Sequence, residues 1–273
     1  MNHALSTTAV GLHYLAMIEG TSHPSIVDAL GDIAPDLADL TISFAYGQVY
    51  SRPGLDLRQR QLVTVAALAS MGGAEPQLKF HIAGALNAGG SPEEVVELMM
   101  HLAVYAGFPA ALNGVFAAKA VFGEKGIVAG TTRVAPRTSR YDDGLASLRE
   151  IDGAAGEHVI DSLRDIAPDL GRFVIEFGFG DIYTRPGLDL LSRELASVAV
   201  LAATGSATPQ LKVHMHGLLN VGGTREQLVE VITQIAVYAG FPRAINAALA
   251  AKDVLAGRAD TRHQEHQGRS VAR

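Results

Sequence analysis

Apolar residues recur at three- and four-residue spacing from Leu55 to Ser70, and again from Leu188 to Ala203, each run opening just after a Pro-Gly turn. That period predicts helices, because 3.6 residues complete a turn. Ser91-Pro92-Glu93-Glu94 predicts a further helix start. Serine can cap the first turn, proline loses nothing there for want of an N–H, and Glu94 is placed to close a capping box. Thr224-Arg225-Glu226-Gln227 repeats the arrangement. Both helices should run to a tyrosine, Tyr105 and Tyr238, where Ala-Gly-Phe-Pro breaks them before a last alanine-rich helix. No segment alternates as a strand would, so the pattern predicts an all-α chain.

The same pattern occurs twice. At an offset of 133 residues DIAPDL (32–37) returns at 165–170, and YSRPGLDL (50–57) returns as YTRPGLDL (183–190). PQLKFHIAGALNAGG (76–90) returns as PQLKVHMHGLLNVGG (209–223), with 10 of 15 positions identical. VYAGFPAALN (104–113) returns as VYAGFPRAIN (237–246), with 8 of 10 identical. Two copies at so long a period indicate a duplicated domain and not a solenoid. The segment after Gly123 carries TTRVAPRTSR and lacks a sustained apolar period, so it reads as a crossing linker with a short helix near its end. The expected division is an N-terminal domain over 1–125, a linker over 126–156, a C-terminal domain over 157–257 and a frayed polar tail over 258–273.

Composition narrows the function. The 273 residues are 48% hydrophobic and 18% charged, enough for a substantial core and an apolar subunit interface. A formal charge of -6, with basic residues scattered, argues against a nucleic-acid surface. Cysteine is absent, which removes disulfides, thiolate nucleophiles and cysteine-ligated metals together. The N-terminus lacks a signal-peptide pattern and the apolar runs are too short to span a bilayer, so a cytoplasmic, non-membrane protein is expected.

Candidate chemistry gathers on the helix beginning near Pro76 and on its twin near Pro209. Lys79 and His81 recur as Lys212 and His214. Histidine titrates near neutrality and can move a proton, although duplication preserves a packed histidine as readily as a catalytic one. His216 stands opposite Ala83, and Glu194 opposite Gln61, so the copies are unequal. Glu194 is either a functional carboxylate or a favourable charge near a helix start. Arg60 and Arg193, with Arg52 and Arg185 in the Arg-Pro-Gly-Leu-Asp turns, could grip an anion bidentately. An equal reading is that the turns serve only to start the helices, with Arg52 and Arg185 paired to neighbouring acids. Tyr105 and Tyr238 read as core or interface residues. Metal spacing such as HExxH is missing, so neither metal nor cofactor is expected.

The succession RPGLD, RQRQL or SREL, PQLKxH, GGxxxE and VYAGFP, followed by an alanine-rich helix, resembles the carboxymuconolactone decarboxylase domain, here twice, over about 30–122 and 163–255. The resemblance implies tandem duplicated helical domains of the alkylhydroperoxidase-D-like type. Redox relatives carry a CxxC pair where this chain has Ala74 and Gln77, and Ala207 and Gln210, so their thiol mechanism has no counterpart. Single-module relatives form hexamers, which implies a homotrimer with pseudo-hexameric packing. The implied activity is a cofactor-independent decarboxylation of a small anionic, lactone-like molecule in aromatic-acid breakdown. His81 or His214 would transfer the proton or stabilise the oxyanion, Glu194 would orient or share that proton, and Arg52, Arg60, Arg185 and Arg193 would anchor the substrate. An isomerase, hydrolase or cyclase acting on a natural-product intermediate is a second reading, and a non-enzymatic helical scaffold a third.

Overall fold

A computed structural model describes residues 6–130, 133–135 and 139–271, with side chains as far as Arg258. Parts of the expected linker (131–132 and 136–138), the first five residues and the last two lie outside the described residues. The first module comprises α1 (Thr7–Glu19), α2 (Ser25–Leu30), α3 (Pro35–Leu40), a π-helix π1 (Thr41–Tyr50), α4 (Leu57–Met71), α5 (Glu75–Asn87), α6 (Pro92–Tyr105) and α7 (Gly107–Glu124). The second repeats that order: α8 (Arg140–Ile151), α9 (Gly153–Ser162), α10 (Pro168–Phe173), π2 (Val174–Tyr183), α11 (Leu190–Thr204), α12 (Thr208–Asn220), α13 (Arg225–Tyr238) and α14 (Phe241–Val271). The fold is all-α, and no strand occurs among the described residues.

Helix starts follow the local chemistry. Ser91 and Thr224 cap α6 and α13, and the side chains of Glu94 and Gln227 return to the cap N–H to complete both boxes. Asp56 and Asp189 cap α4 and α11 after the Pro-Gly turns. Those two helices pack on one another at the centre of the molecule. Val65, Ala66, Val198, Ala199 and Val200 are all nearly inaccessible to solvent. A helix apolar on every side is stable only when sheathed, which is why α4 and α11 form the centre and the other helices surround them.

Two expected boundaries are corrected. The linker over 126–156 holds the whole of α8 and the start of α9. α8 is the counterpart of α1: Gly11, Leu15 and Ile18 return as Gly144, Leu148 and Ile151 at the same offset of 133. Each helix crosses a π-helix at backbone contact. A β-carbon on Gly11 would lie 2.0 Å from the carbonyl oxygen of Ile42, and one on Gly144 would lie 2.1 Å from that of Ile175. Only glycine permits that approach. Where a polar tail was expected from residue 258, α14 continues as a helix to Val271.

Candidate functional site

α12 brings His214 beneath the centre of α11. His214 Nδ1–H donates to Glu194, 3.1 Å from Oε2 and 3.3 Å from Oε1. Glu194 also accepts from the Tyr183 hydroxyl of π2. Asp152, immediately after α8, sets Oδ1 3.7 Å from the same imidazole nitrogen, and that oxygen has no hydrogen-bond partner. The remaining wall comes from the other module. Tyr105, the last residue of α6, meets the His214 ring edge-on at 4.9 Å and places its hydroxyl 2.5 Å from that of Tyr183. With Tyr183 donating to Glu194, Tyr105 must donate to Tyr183, so a chain of hydroxyls ends on the carboxylate.

Burial sets the charges. For His214, burial alone would lower the pKa, but Glu194 and Asp152 overcome it and raise the imidazole to about 9. The Asp152 carboxyl is lifted to about 7, first by burial and then by Glu194, with His214 opposing. The site therefore holds an imidazolium beside an acid that titrates near neutrality. These three side chains also bring potential ligand atoms within 4.8 Å of one another. They are the one such grouping among the described residues, a juxtaposition no sequence spacing announced. In this arrangement Nδ1 is engaged by Glu194, and a cation bound there would have to displace that hydrogen bond.

The first module builds the same frame with different chemistry. His81 Nδ1 lies 2.9 Å from Gln61 Oε1, and because an amide oxygen only accepts, Nδ1 carries the hydrogen. Tyr50 stands where Tyr183 does, bonded to the Tyr238 hydroxyl at 2.6 Å, and Tyr238, from α13 of the second module, meets the His81 ring edge-on at 5.1 Å. No carboxylate touches His81. Burial alone lowers it to about 3, leaving a neutral ring. His81 lines a cleft of about 920 Å³.

The four arginines expected as substrate anchors are placed elsewhere. Arg60 and Arg193 are fully buried. Arg60 and Arg52 both bind Glu230 of α13, at 2.9 and 2.7 Å. Arg193 and Arg185 both bind Glu97 of α6, at 3.2 and 2.7 Å. Each carboxylate thus takes two arginines of the opposite module, which makes the four guanidinium groups ties between modules. A glutamate that faces its own helix in sequence gives no sign of this. Lys79 and Lys212 lie at the surface, paired with Glu75 and Asp253. His216 is half-buried, with Arg258 near it, and is separate from the cluster. Sequence reasoning passed over Asp152, Tyr183 and Tyr50 as site residues, and read Tyr105 and Tyr238 as core or interface residues.

Comparison with known proteins agrees with this duplicated frame. The profile of the carboxymuconolactone decarboxylase family matches residues 35–120 and again 168–253. The chain belongs to that family. Membership makes it an enzyme of the lyase type, with two family domains in one chain and no cysteine in either. It is 36% identical over 118 residues to the 4-carboxymuconolactone decarboxylase of Acinetobacter baylyi, a match covering 43% of this chain and 87% of that one. It is 33% identical over 110 residues to the nitrosuccinic acid decarboxylase of Metarhizium robertsii, covering 39% of this chain and 75% of the relative. Among solved structures, a chain from Burkholderia xenovorans assigned as a gamma-carboxymuconolactone decarboxylase subunit superposes with a TM-score of 0.58 at 25% identity. That alignment spans 92% of this family member and 98% of the other chain, so it takes in both modules. No helix among the described residues is long and apolar enough to cross a membrane.

Proposed function

We propose that the protein is a cofactor-independent decarboxylase acting on a carboxymuconolactone-like lactone acid, and that the C-terminal site carries the chemistry. The observation that carries this reading is the buried imidazolium of His214 held between Glu194 and Asp152. Decarboxylation breaks a carbon–carbon bond and leaves its electron pair on the substrate. In a conjugated lactone acid the pair passes to the lactone carbonyl as a dienolate, and the carbon must then take up a proton. His214, with Nδ1 fixed on Glu194, has Nε2–H free to donate first as an oxyanion hydrogen bond and then as the acid. Asp152, titrating near 7, is suited to restore that proton from solvent. The balance is one proton consumed and one carbon dioxide released per turnover.

The two named relatives support the substrate class. Each carries the name of a decarboxylase whose acid bears an electron-accepting group, a lactone in one and a nitro group in the other. The outer faces of α7 and α14 support a homotrimer with six-module packing. Phe108, Leu112 and Phe116 lie exposed on one, and Phe241, Ile245 and Leu249 at the twin positions of the other.

The test is carbon dioxide release from 4-carboxymuconolactone by protein dialysed against a chelator. His214→Gln should lower kcat by about 100-fold or more, the usual scale for a proton-transfer residue, while His81→Gln leaves it within about fivefold. Equal losses in the two variants would remove the assignment to the C-terminal site. No release from folded wild type would sink this substrate, and release that vanishes on chelation and returns with a divalent metal would sink the cofactor-independent mechanism.

A further inference from the structure

The N-terminal cleft, about 920 Å³ in volume, is open to solvent and mostly apolar. It is walled by Phe44, Tyr46, Phe80, Tyr238 and Phe241, with His81 and Glu19 among its few polar residues. No arginine or lysine among the described residues lines it. An anion entering would lose its hydration and find no counter-charge, while facing the Glu19 carboxylate, which is held in place by the Ser25 N–H at 3.0 Å. Because His81 donates through Nδ1 to Gln61, its Nε2 is left as a bare acceptor on a residue that forms part of the wall. The twin position in the second module, where Glu194 replaces Gln61, has the opposite character: its imidazolium carries a hydrogen on both nitrogens, and Nδ1–H donates to Glu194.

We infer that the cleft beside His81 is a separate binding site for an uncharged, ring-sized apolar molecule bearing a hydroxyl or N–H, which donates to His81 Nε2 while its rings stack among the aromatic walls. The two modules then bind different chemistries: a carboxylic acid at His214 and a neutral ligand at His81. One chain would thereby handle two small molecules. This goes beyond the decarboxylase reading and does not depend on it, since binding at the cleft is measured without turnover.

Three naphthalene probes of one size separate the possibilities: neutral 2-naphthol, anionic 2-naphthoate and cationic 2-naphthylmethylammonium. The chain contains no tryptophan, so naphthyl fluorescence is read without an indole background. The full chain should bind 2-naphthol at least tenfold more tightly than either charged probe. His81→Phe, which keeps the ring and removes the acceptor, should weaken naphthol binding at least fivefold. Ala29→Phe, at an exposed position on the cleft wall, should weaken all three by filling the space. Tighter binding of the naphthoate would overturn the inference, and tighter binding of the ammonium would make Glu19 and the aromatic walls a cation site instead. Naphthol binding unaffected by both substitutions would place it elsewhere. Binding that disappears as the protein concentration rises would show that a second copy of the chain occupies the cleft.

Discussion

One amide-for-carboxylate exchange, together with Asp152, separates the chemistry of the two histidines. Gln61 and Glu194 occupy the same turn of twin helices and reach the same ring nitrogen, at 2.9 and 3.1 Å. The amide leaves His81 subject to burial alone, which lowers it to about 3, whereas the carboxylate, with Asp152, carries His214 to about 9 against the same burial. The expected exchange follows. Glu194→Gln should bring the His214 pKa down, and Gln61→Glu should bring that of His81 up, read from imidazole nitrogen shifts across a pH titration. The sign for activity is fixed by which form is the acid. Carbon dioxide release should fall as pH rises through about 9 in the wild type, because the imidazolium loses its proton there. In Glu194→Gln the fall should move to lower pH; a fall that stayed in place would show that another group is the acid. His81, His214 and Glu194 were visible as candidates in the sequence, and so was the inequality of the copies. Asp152 was not, because it lies 42 residues from Glu194 in a segment without an obvious apolar period.

At the scale of elements, each site depends on helices that cross at backbone distance. α8 positions Asp152 only because Gly144 lets it rest on the carbonyl of Ile175, and Asn220 then bonds the carbonyl of Ile151 at 2.8 Å. The first module repeats the clamp, with Asn87 on the carbonyl of Ile18 at 2.7 Å. A methyl group at residue 144 must push the two helices apart. Gly144→Ala should destabilise the protein by about 1–3 kcal/mol, the range for overpacking, and shift the Asp152 carboxyl out of its place beside His214. Thermal unfolding and carbon dioxide release check the two effects; unchanged values in both would show that α8 floats on π2. The α4 and α11 helices were legible from their period and from the Pro-Gly turns before them. α1 was not, and α8 was foreseen only as a short helix near the end of a linker, since a helix buried along one narrow stripe carries only Gly, Leu and Ile at wide spacing as its mark. The π-helices also escaped, because a fifth-residue hydrogen bond leaves no distinct apolar pattern.

Across the whole molecule the modules are interlocked. Glu97 and Glu230 each bind two arginines of the opposite module, and Tyr105 and Tyr238 each complete the opposite histidine site. Breaking such a buried pair leaves a desolvated charge behind, so these ties hold the register between modules even where they add little net stability. Beyond the chain, the proposed trimer rests on the twin exposed stripes of α7 and α14. Light scattering should give three times the 28.7 kDa chain mass, and Phe108→Asp with Phe241→Asp should lower it to a single chain. A wild-type mass equal to one chain would remove the trimer.

By itself the sequence determined the helical class, the duplication, the lack of thiol chemistry and the two histidines with their unequal partners. All of these are local or periodic properties that a repeat displays twice. Only the tertiary structure decided that each site borrows a tyrosine from the other module, that Asp152 joins Glu194 and His214, and that the conspicuous arginines bind glutamates. The reason is physical. A charge is assigned by its nearest opposite charge, and a pKa by its burial, and both depend on residues that the chain brings together across 42 to 178 positions.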